Sequence, residues 1–172
     1  MKRRLRADDR RNEHDAPTNP ATARRRPDHR RRRRLYRFLA TGADTNGKYA
    51  LWEAVVPPGG GPPPHVHSRE EEAFYILEGE ITVKVGDERI VAIAGMFANM
   101  PVGTPHSFKN ETDRLARMLI SVAPAGLEQM FFEIGQAVPA GATTGPPPTK
   151  EEIEKMLAVA RRYGVEIKLP HP

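Results

Sequence analysis

From residue 48 to residue 123, apolar and polar positions alternate in short runs separated by turn-forming residues. Runs at 48–56, 72–78, 80–85, 88–93, 96–100, 106–110 and 115–123 read as strands, with an earlier one at 36–39. Turn signals every eight to twelve or so positions indicate an all-β sandwich or barrel. Gly86 and Asp87 supply hairpin chemistry between two of these runs. Gly79 separates two others and permits a sharp bend. Residues 57–64 contain only proline and glycine, so they form neither helix nor ladder strand and deliver a stiff, extended approach to residue 65. Residues 130–134 read as one more strand or a helical turn, and 135–148 as a linker of small residues and proline.

The period then changes. Thr149 suits a helix N-cap, and Glu152 three positions later completes a capping box. Ile153, Met156, Leu157 and Ala160 fall on one helical stripe. Arg161 and Arg162 favour the C-terminal end and Gly164 stops the helix. Residues 165–169 read as a short edge strand. The predicted organisation is a tail at 1–34, an all-β barrel at 35–134, a linker at 135–148, and a C-terminal helix with its own tail at 149–172.

Charge is distributed unevenly over the 172 residues. Residues 1–34 hold 14 basic and 5 acidic residues, a net +9, whereas the remainder holds 13 and 17, a net −4. The overall +5 therefore describes the tail, and no basic partner surface is expected on the barrel. With almost no apolar residue before Leu35, the tail cannot bury a core and is expected to be disordered. Its arginine runs would suit nucleic acid or an anionic surface. No aromatic residue is interleaved for base stacking, so a solvated extension, or an over-long reading frame whose start lies near Leu35, is the favoured account. No run of 18 apolar residues is present, so no membrane span is expected. The apolar stretch after the arginines is too short for a secretion signal, being interrupted by Arg37 and Asp44. With no cysteine there is no disulfide framework. A cytoplasmic location is the default expectation.

The candidate chemistry sits in two interlocking segments. Gly59, His65, His67, Glu72 and Gly79 form the first, and Gly95, Pro101, Gly103, His106 and Asn110 the second. An H-x-H pair on a strand presents both imidazoles on one face. Glu72 lies five positions beyond His67, so the intervening chain must turn, and His106 lies 39 positions on and needs the fold to bring it near. Imidazole nitrogen and carboxylate oxygen suit Fe, Mn, Ni, Cu, Co or Zn as a divalent ion. Glu71 rivals Glu72 as the carboxylate, and Glu72 is preferred because six residues separate it from Gly79. Glu70 reads as part of a solvated charge run.

In these spacings, G-x5-H-x-H-x4-E-x6-G and G-x5-P-x-G-x2-H-x3-N, the chain resembles the cupin superfamily. Over residues 36–134 it resembles, more narrowly, single-domain cupins related to quercetin dioxygenase. The resemblance implies a double-stranded β-helix, or jelly roll, enclosing one divalent transition metal on His65, His67, Glu72 and His106. It also implies that Glu72 is the catalytic proton acceptor, in a metal-dependent dioxygenase acting on a small enol or flavonol. A non-catalytic small-molecule-binding module and a metal-dependent isomerase or lyase are the alternatives. Strand alternation places Phe74 and Ile76 on the face of Glu72 and Phe108 on that of His106, which predicts an apolar wall for the substrate pocket. Tyr75 and Leu77 are expected to face the other way. A homodimer is expected, with the strand at 36–39 as the edge that pairs.

Overall fold

The computed structural model describes residues 28–31, 34–138 and 149–168. In chain order its elements are β1 (Asp28–Arg31), β2 (Arg34–Ala40), the single turn α1 (Gly42–Thr45), β3 (Ala50–Val56), β4 (His65–His67) and β5 (Glu71–Glu78). Then come β6 (Glu80–Val85), β7 (Glu88–Ile93), β8 (Phe97–Met100), β9 (His106–Lys109), β10 (Ala116–Ala123), α2 (Leu127–Ile134), β11 (Gln136–Val138), α3 (Lys150–Arg162) and β12 (Val165–Ile167). Pairing is antiparallel, in a seven-stranded sheet ordered β11-β1-β2-β3-β10-β5-β8 and a five-stranded sheet ordered β12-β4-β9-β6-β7. The architecture is the expected all-β jelly roll.

Alternation decides which side chains meet between the sheets. Along β5, Glu72, Phe74 and Ile76 are buried, whereas Tyr75 and Leu77 are exposed. Along β10, Ala116, Met118, Ile120 and Val122 face inward. Phe108, Ile81 and Val83 complete the core from the five-stranded sheet. Each fully buried large apolar side chain contributes about 1.5–3 kcal/mol, so this core supplies most of the barrel's cohesion.

Close backbone approach sets the position of the proline/glycine loop. Gly59 N–H donates to Asn110 O, and Asn110 N–H donates to Gly60 O. A Cβ on Gly61 would lie 2.0 Å from Phe108 O. The loop is thereby held against β9 before it enters β4. Asn110 is fully buried and structural. Its Nδ2 donates to Val56 O at 2.8 Å and Arg114 O at 2.6 Å, while its Oδ1 accepts from Thr112 N–H at 3.0 Å.

Several expectations need correction. Residues 28–31, assigned to the tail, form a strand between β2 and β11. The rest of the expected disordered tail, 1–27 and 32–33, lies outside the described residues. Because β2 has neighbours on both sides, the run at 36–39 is not a free edge. Of the two readings of 130–134, a strand or a helical turn, the helical one holds, because Leu127, Met130 and Phe131 recur at helical spacing and bury together. Part of the expected linker is strand β11, and 139–148 lies outside the described residues.

The C-terminal helix starts as expected. Glu152 N–H donates to Thr149 Oγ1 at 3.2 Å, and Thr149 N–H donates to Glu152 Oε2 at 2.8 Å. Met156, Val159 and Ala160 bury one face of it. After Gly164 the chain returns as β12 and pairs with β4, setting Val165 opposite His67 and Ile167 opposite His65. No helix among the described residues is long and apolar enough to cross a membrane.

Candidate metal centre

β4 offers its two imidazoles from one face, β9 lies beside it with His65 opposite His106, and β5 supplies Glu72 from the facing sheet. One ligand atom from each of His65, His67, Glu72 and His106 lies within 4.8 Å of the other three. Donors about 2.0–2.2 Å from a shared ion can be at most about 4.4 Å apart, so small side-chain adjustments close the set on one point. His106 Nε2 is 2.9 Å from Glu72 Oε2, and His67 Nε2 is 3.7 Å from the same oxygen. The ring centroids of His65 and His106 are 4.4 Å apart.

Two of the imidazoles are held from behind. His65 Nδ1 lies 3.0 Å from Pro63 O, and His106 Nδ1 lies 2.9 Å from Thr104 O. A donor Nδ1–H in each case leaves Nε2 free to ligate. His67 differs, because neither of its buried ring nitrogens has a hydrogen-bond partner among the described residues. A buried polar atom without a partner costs about 1–3 kcal/mol, and a cation at the centre would engage His67 Nε2. The donor set, three nitrogens and one oxygen with no thiolate, also fits a borderline divalent ion.

The electrostatics follow from burial and proximity. Burial, with repulsion from His106 and His67 added, drives His65 down to about 3 against the pull of Glu72, so its imidazole is neutral. Burial opposes charge on Glu72 and on His106 too. The hydrogen bond between them, together with the attraction between Glu72 and the surrounding imidazoles and the Thr104 carbonyl at His106, outweighs it, holding the Glu72 carboxyl below its usual range and His106 above its own. Without an ion the pair is thus a buried carboxylate–imidazolium couple.

Above the cluster lies a cavity of about 40 Å³. His65, His67, Glu72 and Phe108 form its floor, while Trp52, Phe131 from α2, Met156 from α3 and Ile167 from β12 close it. Of the three predicted apolar wall residues, Phe108 borders the cavity. Phe74 and Ile76 share the inward face but lie outside the lining. Each two-residue step along a strand moves about 6.5 Å, so β5 carries them away from the opening. Phe74 packs its ring against Phe108 at 5.2 Å.

Glu71 is exposed and accepts a hydrogen bond from Asn99 Nδ2, leaving Glu72 as the inward carboxylate. Glu70 is not solvated as expected but 1% exposed. Sequence reasoning also missed Trp52, whose place between Leu51 and Glu53 in β3 gave no sign of a cavity position. Its Nε1 has no partner among the described residues, and its ring packs on Phe131 at 5.5 Å.

Comparison with known proteins agrees with this geometry. Residues 52–122 match the cupin domain family model. The chain is 30% identical over 121 residues to quercetin 2,3-dioxygenase of Bacillus subtilis, covering 70% of this chain and 35% of that protein. It therefore spans about a third of the length of that relative. It is 29% identical over 108 residues to the polyketide synthase CurC of Streptomyces cyaneus, covering 63% of this chain and 68% of that one. An RmlC-like cupin from Shewanella frigidimarina superposes with a TM-score of 0.54 at 18% identity, over 62% of this chain and 89% of its own; that likeness concerns the fold alone. The matched span runs from Trp52 in β3 to Val122 in β10 and takes in the strands of both sheets that carry the cluster, so this part of the chain is similar to the cupin domain family.

Proposed function

We propose that His65, His67, Glu72 and His106 hold one divalent transition metal, and that the protein is a dioxygenase-type enzyme acting on a small enol. The convergence of four ligand atoms beneath a cavity carries this reading. Such an ion, when bound, would polarise a substrate oxygen. Glu72 supports the proton transfer, because it is held ionised and stands at the cavity floor, able to accept a proton from an enol hydroxyl. Trp52, Phe108 and Phe131 give the substrate an apolar surround and exclude water.

Cavity size narrows the substrate. A water needs about 10–15 Å³, and drug-sized pockets run to about 300–1,000 Å³. At about 40 Å³ the cavity suits a small enol and would have to widen at α3 to admit a flavonol. The same small volume favours, as a second reading, a binding module that captures a small ligand without turning it over. The oligomer is proposed to be a homodimer through the outer face of β5 and the edge strand β8, where Tyr75 stands opposite Phe97 and both are exposed.

Elemental analysis of purified protein followed by oxygen-uptake assays with small enols and flavonols tests the enzyme. The expected result is about one metal per chain and oxygen consumption with a small enol. Glu72→Gln should keep much of the metal and lose turnover. Metal binding without oxygen consumption for any enol would favour the binding module, and no metal at all would reject both the site and the enzyme.

A further inference from the structure

The three histidines are not anchored alike. His65 and His106 each direct Nδ1 at the carbonyl two residues earlier in the chain. For His67 that residue is His65, and no such bond forms. The acceptor facing His67 Nδ1 is Glu70 Oε2, 3.7 Å away, and among the described residues neither atom has a hydrogen-bond partner. A carboxylate that is 1% exposed, aimed at a buried imidazole whose other nitrogen faces the centre, has the arrangement of a group that holds a metal-ligating histidine.

The other end of Glu70 leads out of the barrel. Its Oε1 accepts from Arg69 Nη2 at 3.0 Å, and the same Nη2 donates to Tyr163 O, at the C-terminal end of α3, at 3.0 Å. Around this contact Ser68 N–H donates to Gly164 O, and Lys168 N–H donates to Pro64 O. A Cβ on Gly164, where φ is +73°, would lie 2.6 Å from Ser68 Oγ and 3.0 Å from Arg69 Nε. α3 and β12, which also supply Met156 and Ile167 to the cavity, are thus seated on the turn that carries Arg69 and Glu70.

We propose that Glu70 is a positioning residue for His67, and that Arg69 makes its grip depend on the seating of α3 and β12, so that metal binding and closure of the cavity are coupled. The proposal rests on the metal-site reading above. Bound metal fixes the His67 ring and leaves Nδ1–H to donate to Glu70. A fixed Glu70 holds Arg69 in place, and Arg69 holds the carbonyl at the end of α3. Coupling of this kind is reciprocal: displacing α3 weakens metal binding by the same factor by which metal binding favours closure.

Zn(II) competition against a chromogenic chelator, and amide exchange over residues 150–167 with and without Zn(II), test this on the full chain. Wild type should bind Zn(II) and exchange more slowly in that segment when loaded. Glu70→Gln should weaken Zn(II) binding about 10- to 100-fold and alter the visible spectrum of the Co(II)-loaded protein. Arg69→Ala, at a half-exposed side chain, should weaken Zn(II) binding several-fold and abolish the Zn(II)-dependent protection of α3 and β12. Wild-type affinity and Co(II) spectrum in Glu70→Gln would overturn the proposal while leaving the metal site standing. If Glu70→Gln does not fold, Arg69→Ala decides: unchanged affinity together with unchanged protection overturns it. A wild type that binds neither Zn(II) nor Co(II) would instead reject the metal site itself.

Discussion

β4 and β9 hold His65 and His106 with local devices. The backbone anchors lie two residues away, the strand alternates, and the loop before β4 is pinned on Asn110. The cover over those histidines is built differently. Leu127, Phe131, Met156 and Ile167 come from two helices and a strand far apart in sequence, and they meet only because each buries an apolar stripe on its neighbours. The first region is rigid by covalent proximity and the second by packing. Substitutions in the first should therefore change metal content or folding outright, whereas those in the second should change stability and access and lower metal affinity only as far as they unseat α3 and β12.

The largest effect is expected at the ligands themselves. His106→Ala should remove bound metal altogether, since it deletes both a proposed ligand and the partner of Glu72; metal analysis after dialysis reads this, and full occupancy in the variant would break the comparison. Gly61→Ala comes next. Its Cβ would meet Phe108 O and Lys109 Cα at 2.0 and 2.9 Å, so a loss of about 3 kcal/mol or more in urea titration is expected. A stability equal to wild type would show that the loop is free to move off β9.

On the covering side, Met156→Ala should cost about 2–3 kcal/mol, retain the metal, and widen the cavity toward larger substrates. Loss of metal equal to that of His106→Ala would erase the distinction between the two regions.

The pH dependence sharpens it further. In the metal-free protein His65 is held at about 3, below its ordinary 6.5, so the unfolded chain takes up a proton that the native state refuses. Stability should fall as pH drops from 6.5 toward 3. Glu72, whose carboxyl is lowered, adds to that acid loss as pH passes below 4.5. His106 is raised above 6.5, so its contribution is complete below 6.5 and lost as pH rises through its folded value. Thermal melts should show maximal metal-free stability near pH 6.5. Because the ion must displace the proton on His106, metal affinity should rise with pH over that same alkaline range. A metal affinity independent of pH would remove His106 from the ligand set.

The smallest effect concerns the N-terminus. Deleting residues 1–27 should leave the melting temperature within a degree or two, because β1 and its pairing with β2 and β11 remain. Deleting 1–34 should lower it further, since a strand is lost from the sheet.

The sequence by itself determined the strands 80–85 and 88–93 to the residue, the capped helix after Thr149, the inward face of β5 and the identity of the four convergent side chains. Each of these rests on spacing within one element or on a turn with few solutions, so local chemistry suffices. What only the tertiary structure decided is depth and distance. Alternation placed Phe74 and Ile76 on the right face but not their distance from the opening. Spacing singles out Glu72 as the inward carboxylate and leaves Glu70 in a solvated run, yet Glu70 is buried as well because Arg69 and the end of α3 close over it. The run 130–134 folded as helix because Phe131 found Tyr36 and Trp52, and 28–31 became strand because β2 and β11 offered it partners. In each case the deciding partner lies elsewhere in the chain, where no periodicity around the residue itself can report it.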